Sequence, residues 1–310
     1  MTTKQLEKGI DKVRTIKHSK GDLVFLSANN LILFMALLVT IYPLIYILSS
    51  SFSSTRAVIS GRVWLWPVEP TLAGYEAVFN NSSIIRGYIN SVIYTFVGTL
   101  INVVLTVMAA YPLSRRDFKA GKFIMFMFTF TMFFGGGLIP NYLLIKNLGM
   151  INTMWAMVIP GAIGTWNVII TRTYFQSTLP GELLEASQID GCSDIKFLLK
   201  VALPLSKAII AVITLFYAVG HWNAFFSAFI YLNDKKMFPL QLVLRDILVS
   251  LNVDASMLSS LNLEEMTAKE GLVDLVRYSA IVIASVPVML MYTFAQKYFV
   301  QGVMVGAIKG

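Results

Sequence analysis

Few side chains in this sequence have the types and spacing that catalysis or metal binding would require. The chain has two histidines, His18 and His221, and one cysteine, Cys192, and these form no cluster at metal-ligand spacing. His221 is the only histidine inside a hydrophobic segment, and a serine in the same segment, such as Ser227, does not establish a nucleophile paired with a base. The sequence therefore predicts no catalytic residue and no metal site, and the single cysteine cannot form an intrachain disulfide.

A second set of side chains, consisting of amides and aromatic rings inside hydrophobic segments, could contact a sugar. Polar groups at membrane depth usually face a bundle interior or a cavity, and a ring beside an amide offers both a flat surface and hydrogen bonds. The same residues could instead hold helices together, with Asn bonding across the bundle and Trp packing. Both interpretations stay open for the candidate translocation path, which comprises Asn102, Trp166, Asn167, His221, Trp222 and Asn223.

The elements that must position these residues are long segments without charge. Of the 310 residues, 56% are hydrophobic and only 14% are charged, and the mean hydropathy is +0.68. Six segments of at least about 18 residues contain no Asp, Glu, Lys or Arg, which is long enough for each to cross a bilayer as a helix. This composition excludes a soluble enzyme, a disordered chain and a disulfide scaffold. We expect an all-α polytopic membrane protein with six transmembrane helices near 27–50, 88–113, 123–145, 153–174, 206–232 and 276–296.

The positions of Lys and Arg predict the orientation of these helices. The first 22 residues are polar and of mixed charge, which is atypical of a cleavable signal peptide. With this end inside, most of the basic residues fall on the cytoplasmic side, as the positive-inside rule requires. The net charge of +8 is then explained by topology, and no nucleic-acid partner is expected. The predicted organisation is a cytoplasmic tail (1–26), a first transmembrane helix (27–50), an external loop (51–87), a core (88–296) containing a cytoplasmic loop (175–205) and an external loop (233–277), and a cytoplasmic tail (297–310).

The two external loops are too long to be simple turns. In the first, the stretch from Tyr75 to Phe79 favours a short helix at the membrane interface, and Trp64 and Trp66 are typical of aromatic anchors at that level. The second, 233–277, is the longest polar stretch and is long enough to contact an external partner.

The cytoplasmic loop 175–205 carries the most specific pattern in the chain. Pro180 suits a first helical position, and Glu182 and Glu185 lie near the positive end of the helix that follows. Gly191 can adopt the left-handed geometry that ends a helix, and Ser193 can cap a second helix that ends before Pro204. A simple connector between membrane helices would not need two ordered helices.

This loop resembles the "EAA" loop of binding-protein-dependent ABC importer permeases. The family pattern is E-A-A-x3-G-x9-I-x-L-P, and this chain has Glu185-Ala186-Ser187, Gly191, Val201 and Leu203-Pro204 at the same spacing. Ser187 replaces the second alanine and Val201 replaces the isoleucine. The resemblance implies the type I ABC importer permease fold and docking of this loop into a cleft of a cytoplasmic ATPase subunit. The ATPase-coupling residues it implies are Glu182, Glu185, Ala186, Ser187, Gly191, Leu203 and Pro204.

Other segments extend the resemblance over most of the chain. Asn90-Ser91 and the stretch 109–115 are similar to the start of the permease core, whereas Trp222-Asn223 and the ending 296–310 are similar to the carbohydrate branch. Within that branch the chain resembles the smaller permease partner of maltose-type oligosaccharide importers, in which the larger partner supplies most sugar contacts. The stretch 133–140 resembles a subgroup that imports complex plant or host glycans. The tail glycines implied to reach the ATPase pair are Gly302, Gly306 and Gly310.

The resemblance also implies the assembly around this chain. The expected partners are a second homologous permease, two ATP-binding subunits, an external substrate-binding protein, a sugar substrate and the lipid bilayer of the inner membrane. No phosphate-binding G-x4-G-K-[ST] loop occurs in the sequence, so no cofactor is expected in this chain, and ATP and Mg²⁺ would be bound by the partner ATPase. The alternatives are a permease of another ABC importer branch (peptide, amino acid or ion), a secondary transporter or a membrane enzyme.

Overall fold

The computed structural model of the chain describes residues 19–257 and 263–307, and its regular elements over those ranges are all helical. The predicted all-α class is confirmed. The first eight helices are α1 (Lys20–Ser51), α2 (Thr55–Ile59), α3 (Ala73–Phe79), α4 (Ser82–Ser114), α5 (Gly121–Phe133), α6 (Leu138–Asn147), α7 (Trp155–Val158) and α8 (Thr165–Thr178). They are followed by α9 (Gly181–Ile189), α10 (Asp194–Phe197), a π-helical turn (Leu198–Ala202), α11 (Leu203–Leu205), α12 (Lys207–Trp222), α13 (Phe226–Tyr231), a 3₁₀ turn (Lys235–Met237), α14 (Leu240–Met257) and α15 (Leu263–Ala307).

The first helix, α1, begins at Lys20 rather than at the predicted residue 27. Ser19 and Asp22 form a capping box, because Asp22 N donates to Ser19 Oγ at 3.2 Å and Ser19 N donates to Asp22 Oδ2 at 2.9 Å. From Leu23 to Leu44 most of the large apolar side chains are exposed, and the buried residues of the helix are Ser49, Ser50 and Ser51 at its end. Such an apolar surface fits contact with lipid or with another subunit.

The central helix of the fold is α4, which packs against α8, α12 and α14. One stripe of this helix carries small and polar side chains at spacings of three and four residues, so these residues lie on one face. Small residues let membrane helices approach closely, and polar ones bond across the contact. A Cβ added at Gly87 would lie 2.9 Å from Val243 Cγ2 of α14, which is closer than side chains normally pack. The buried members of the stripe are Gly87, Ser91, Thr95, Gly98, Asn102, Thr106 and Ala110.

Three of the predicted membrane helices are broken rather than continuous. The third predicted helix, 123–145, is divided into α5 and α6 with a bend of 114°, and Gly137 between them has a φ of 84°. The fourth, 153–174, is divided into α7 and α8 by a non-helical segment that contains Pro160 and Gly161. The fifth, 206–232, is interrupted between α12 and α13. Composition could not reveal these breaks because apolar residues suit straight and bent membrane helices equally.

The predicted count of six spans is not confirmed. By length and composition, three described helices can cross a membrane: Lys20–Ser51, Ser82–Ser114 and the part of α15 from Val273 to Tyr298. Two bent pairs, α5 with α6 and Asp194–Leu205 with α12, would raise the number to five within the described residues. Six spans therefore stay a prediction.

The two predicted external loops are largely helical. Residues 51–87 contain α2 and α3, and α3 contains the short helix predicted for 75–79. Residues 233–277 contain α14 and the start of α15. Leu240, Leu242 and Val243 of α14 are buried, and this helix packs on α4. The overall composition of this stretch is polar, and its apolar residues form one continuous face only when the stretch is helical.

Candidate functional site

The helix α9 and its C-terminal turn form the part of the loop 175–205 that carries Glu185. The helix begins at Gly181, so the prediction of Pro180 as the first helical residue is wrong by one position: Pro180 is the N-cap, with extended φ and ψ of −61° and 142°. At the other end Gly191 has a φ of 70°, and Cys192 N donates to Ser187 O at 2.9 Å. The predicted glycine stop is thus confirmed, since a left-handed residue after a helix favours glycine.

The second half of the loop leads into α12 through a series of helical turns. Ser193 caps α10 as predicted, accepting from Lys196 N at 3.4 Å. The predicted end before Pro204 is wrong, because helical turns continue through Pro204 to Leu205. Pro204 is the second residue of α11, directly after the π-helical turn, and it has no N–H to donate to that turn. The chain instead turns by 84° at Ser206, which is buried.

The inner side of this loop packs against the ends of α4 and α8. Phe197 of α10 lies in a buried cluster with Tyr111 of α4 and Phe175 of α8, and Leu184 and Cys192 pack against the same cluster. The Tyr111 ring centroid is 6.2 Å from that of Phe175 and 6.4 Å from that of Phe197. The loop is therefore held against the two helices that precede it in the core.

An ionic contact adds to this packing. Arg115, which directly follows α4, pairs with Asp117 at 2.6 Å and with Asp194 at the start of α10. Its side chain is only 12% exposed, whereas both carboxylates are 62% exposed. The hydrogen bonds to the two carboxylates raise the pKa of Arg115, and the hydrogen bond from Arg115 lowers the pKa of Asp117. The end of α4 is thus joined to the loop by a charged pair as well as by packed rings.

The outer side of α9 carries an exposed stripe. Glu182, Glu185, Ala186 and Ile189 lie at i, i+3, i+4 and i+7 on one helical face, and all four are exposed. Ile189 has 87% of its surface exposed, although it is a large apolar residue. We call these four residues the α9 stripe. Carboxylates beside apolar side chains on a short, well-supported helix can bind a basic and apolar cleft on another protein.

The remaining coupling residues of the sequence prediction do not all lie on this stripe. Ser187 is half-buried and donates to Leu184 O at 2.7 Å, and Leu203 is also half-buried. Gly191 and Pro204 are exposed. Of the predicted tail residues, Gly302 and Gly306 fall within α15, and Gly310 lies outside the described residues.

The six candidate path residues occupy different environments. Trp222 is buried, donates from Nε1 to Ala284 O at 2.9 Å and packs edge-on against Tyr88. This geometry fits the interhelical packing interpretation. Asn223, the next residue, is exposed.

The other members lie near α4. His221 contacts Gly98, and Asn102, four residues further along α4, donates from Nδ2 to Gly161 O at 3.2 Å. Asn167 is buried, whereas Trp166 is exposed. The structure therefore places His221 of α12 against the face of α4 that carries Asn102, but it leaves Trp166 and Asn223 exposed.

The sequence prediction did not include a set of hydrogen bonds that hold α4 to α12, to the start of α14 and to the 3₁₀ turn before it. Tyr217 OH is 2.7 Å from Thr106 Oγ1 and accepts from Gly164 N at 2.9 Å. Asn90 Nδ2 donates to Lys236 O at 2.8 Å, and Ser91 Oγ accepts from Leu240 N at 2.8 Å. The only signal in the sequence was the spacing of polar residues along one face of α4.

Comparison with known proteins supports the assignment that the EAA-like loop implied. Residues 72–305 match the family described as binding-protein-dependent transport system inner membrane component. The chain belongs to this family. It is therefore an ABC transporter permease, a membrane subunit of a transporter.

Individual relatives match over nearly the whole length. Protein LplC of Bacillus subtilis is 38% identical over 96% of this chain and 99% of its own. The polygalacturonan/rhamnogalacturonan transport system permease protein YtcP of Bacillus subtilis is 37% identical over 90% of this chain and 96% of its own. A chain in the crystal structure of a bacterial ABC transporter involved in the import of the acidic polysaccharide alginate is 33% identical, with a TM-score of 0.81 over 91% of this chain and 99% of its own. These matches confirm the type I permease fold.

Proposed function

We propose that this chain is one of two permease subunits of an ATP-driven oligosaccharide importer. Relatives over most of its length are permeases for polygalacturonan/rhamnogalacturonan and for melibiose, raffinose and stachyose, both in Bacillus subtilis. This favours a sugar over the peptide, amino acid or ion substrates of other ABC importer branches. The chain would form half of the translocation path, with the second homologous permease forming the other half and an external binding protein delivering the sugar.

The observation that carries the coupling proposal is the two-sided character of α9. Leu184 on its inner side packs against the Tyr111–Phe175–Phe197 cluster of α4, α8 and α10, while the α9 stripe on its outer side is exposed. A displacement of the stripe would therefore move a packed unit rather than a free loop. In this proposal Glu185 makes an ionic contact to the ATPase, Ala186 permits close approach, and ATP and Mg²⁺ are bound by that ATPase. Both termini, and the loop itself, lie on the cytoplasmic side of the inner membrane.

Two substitutions test the coupling role. Glu185→Ala removes one of the two carboxylates of the α9 stripe, and Gly191→Leu places a side chain where φ is 70° and glycine is strongly favoured. Both variants should insert and assemble, yet sugar uptake and sugar-stimulated ATP hydrolysis should be lost. Glu76→Ala is the matched control, because Glu76 is an exposed glutamate on the short helix α3, outside the loop. Normal uptake by both loop variants would contradict the assignment.

A further inference from the structure

A cavity of about 640 Å³ lies between the break at the end of α12 and the helices α14 and α15. Asn223 and Phe225 line it at the break, and residues of one face of α15 line it from Val276 to Met289. At a rise of 1.5 Å per residue, this stretch of α15 is about 20 Å long. The cavity therefore has the dimensions of a groove for an extended molecule rather than of a site for a single ion.

Two arginines give this cavity its charge. Arg245 of α14 and Arg277 of α15 both line it, and no acidic side chain is among its lining residues in the described part of the chain. Each arginine pairs through Nη1 with a nearby carboxylate, Arg245 with Asp246 at 3.3 Å and Arg277 with Asp274 at 2.9 Å. A guanidinium has five N–H donors, so these pairs leave donors for a ligand.

The arginines are held in position while staying accessible. Arg245 Cζ lies 4.6 Å from the centroid of the Phe229 ring, a cation–π contact that orients the guanidinium. The side chains of Arg245 and Arg277 are 42% and 34% exposed. Further along α15 the lining changes to apolar side chains such as Val288 and Met289, and the Asn223 amide lies at the break. A ligand whose carboxylates contact the arginines and whose apolar ring faces contact the apolar lining would fit this groove.

We propose that this cavity, the Arg245–Arg277 groove, binds the carboxylates of an acidic, uronic-acid-containing oligosaccharide on its way through the transporter. Planar guanidinium groups bind carboxylates through paired hydrogen bonds, and a neutral sugar offers no equivalent charge. In the proposed topology both arginines lie toward the external side, so the groove would receive the sugar at the entrance of the path. The inference rests on the proposed function and names the substrate class of the same transporter.

The test measures sugar binding to the purified complex of this permease, its partner permease and the ATPase pair, without the external binding protein. Omitting that protein keeps its own selectivity out of the measurement. The probes are trigalacturonate and its methyl ester, which differ in charge. Wild type should bind the uronate more tightly than the ester. The double variant Arg245→Gln with Arg277→Gln should raise the Kd for the uronate by about tenfold or more, which is the change expected when a hydrogen bond to a charged group is lost. Its Kd for the ester should be unchanged.

Matched variants separate charge from folding. Arg62→Gln is the control, because Arg62 is an exposed arginine paired with Glu69 outside the groove. Arg245→Lys with Arg277→Lys keeps the charge and should restore part of the uronate binding. A structural role for the arginines predicts equal weakening for both probes, and that result would overturn the inference.

Two further outcomes complete the test. Competition by phosphatidylglycerol, with no difference between the two sugars, would assign the arginines to lipid headgroups and overturn the inference. If wild type transports neutral oligosaccharides but neither binds nor transports uronates, the inference fails and the proposed function stands. If no sugar stimulates ATP hydrolysis by the complete transporter, the proposed function itself fails.

Discussion

The contact between Gly98 and His221 gives a quantitative prediction about the packing of α4 on α12. A Cβ added at Gly98 would lie 2.4 Å from His221 Nε2, 2.6 Å from Cε1 and 2.7 Å from Cδ2. Ordinary contacts begin near 3.4 Å, so Gly98→Ala requires the ring or the helices to move by about 1 Å. Overpacking of this kind costs about 1–3 kcal/mol, and the higher helix propensity of Ala offsets about 1 kcal/mol of that cost. We expect a net loss of up to about 2 kcal/mol in the free energy of unfolding.

The assay is unfolding in mixed micelles by titration with SDS, followed by circular dichroism. His221→Ala removes the ring that meets the new Cβ, so Gly98→Ala should cost little when it is made in that background. Gly220→Ala is the matched control, because Gly220 lies in α12 next to His221 and a Cβ there would meet nothing within 4 Å. That control should be neutral or slightly stabilising.

The cycle has a clear refuting result. If Gly98→Ala is equally destabilising with and without the His221 ring, the close approach of these two residues is not the cause of the cost. A destabilising Gly220→Ala would show that the scaffold tolerates no added methyl group in α12, which would also contradict the reasoning.

Three further predictions concern the cytoplasmic side of the protein and its topology. Arg115→Gln and Asp194→Asn should each reduce coupling of ATP hydrolysis to uptake, and a double-mutant cycle in SDS unfolding should give an interaction of about 1 kcal/mol, since Asp194 is largely exposed; additive effects would refute the link. Because Arg115 lowers the pKa of Asp117, their pair stabilises the fold at neutral pH and loses this contribution as the pH falls through the lowered pKa, so Arg115→Gln should flatten the acid limb of a stability profile. A membrane-impermeant maleimide should label Cys192 in inside-out vesicles stripped of the ATPase, whereas Trp66→Cys in a Cys192→Ser background should be labelled from outside; labelling of Cys192 in intact cells would contradict the topology.

Local features of the loop could be predicted from the sequence because they depend on neighbouring residues. The left-handed turn at Gly191 and the cap at Ser193 both follow from interactions within five residues along the chain. The EAA-like spacing also located the segment that carries the α9 stripe. Even here the prediction failed at Pro204, where a π-helical turn leads directly into α11 and the helical turns continue to Leu205.

Long-range arrangements were beyond the sequence for a physical reason. Arg115 and Asp194 are 79 positions apart, and nothing in their types distinguishes this pair from other charged residues in the same loops. The Arg245–Arg277 groove likewise exists only because α14 and α15 place two arginines around one space that the break after Trp222 opens. The long uncharged segments were enough to predict that this chain is helical and lies in a membrane. Their length suits a bilayer, and in lipid the backbone N–H and C=O groups must bond to each other, which a helix allows. Only the tertiary structure decided where those helices bend and which side chains are in contact. Apolar residues are equally stable in lipid whether a helix is straight or bent, so composition does not distinguish the two.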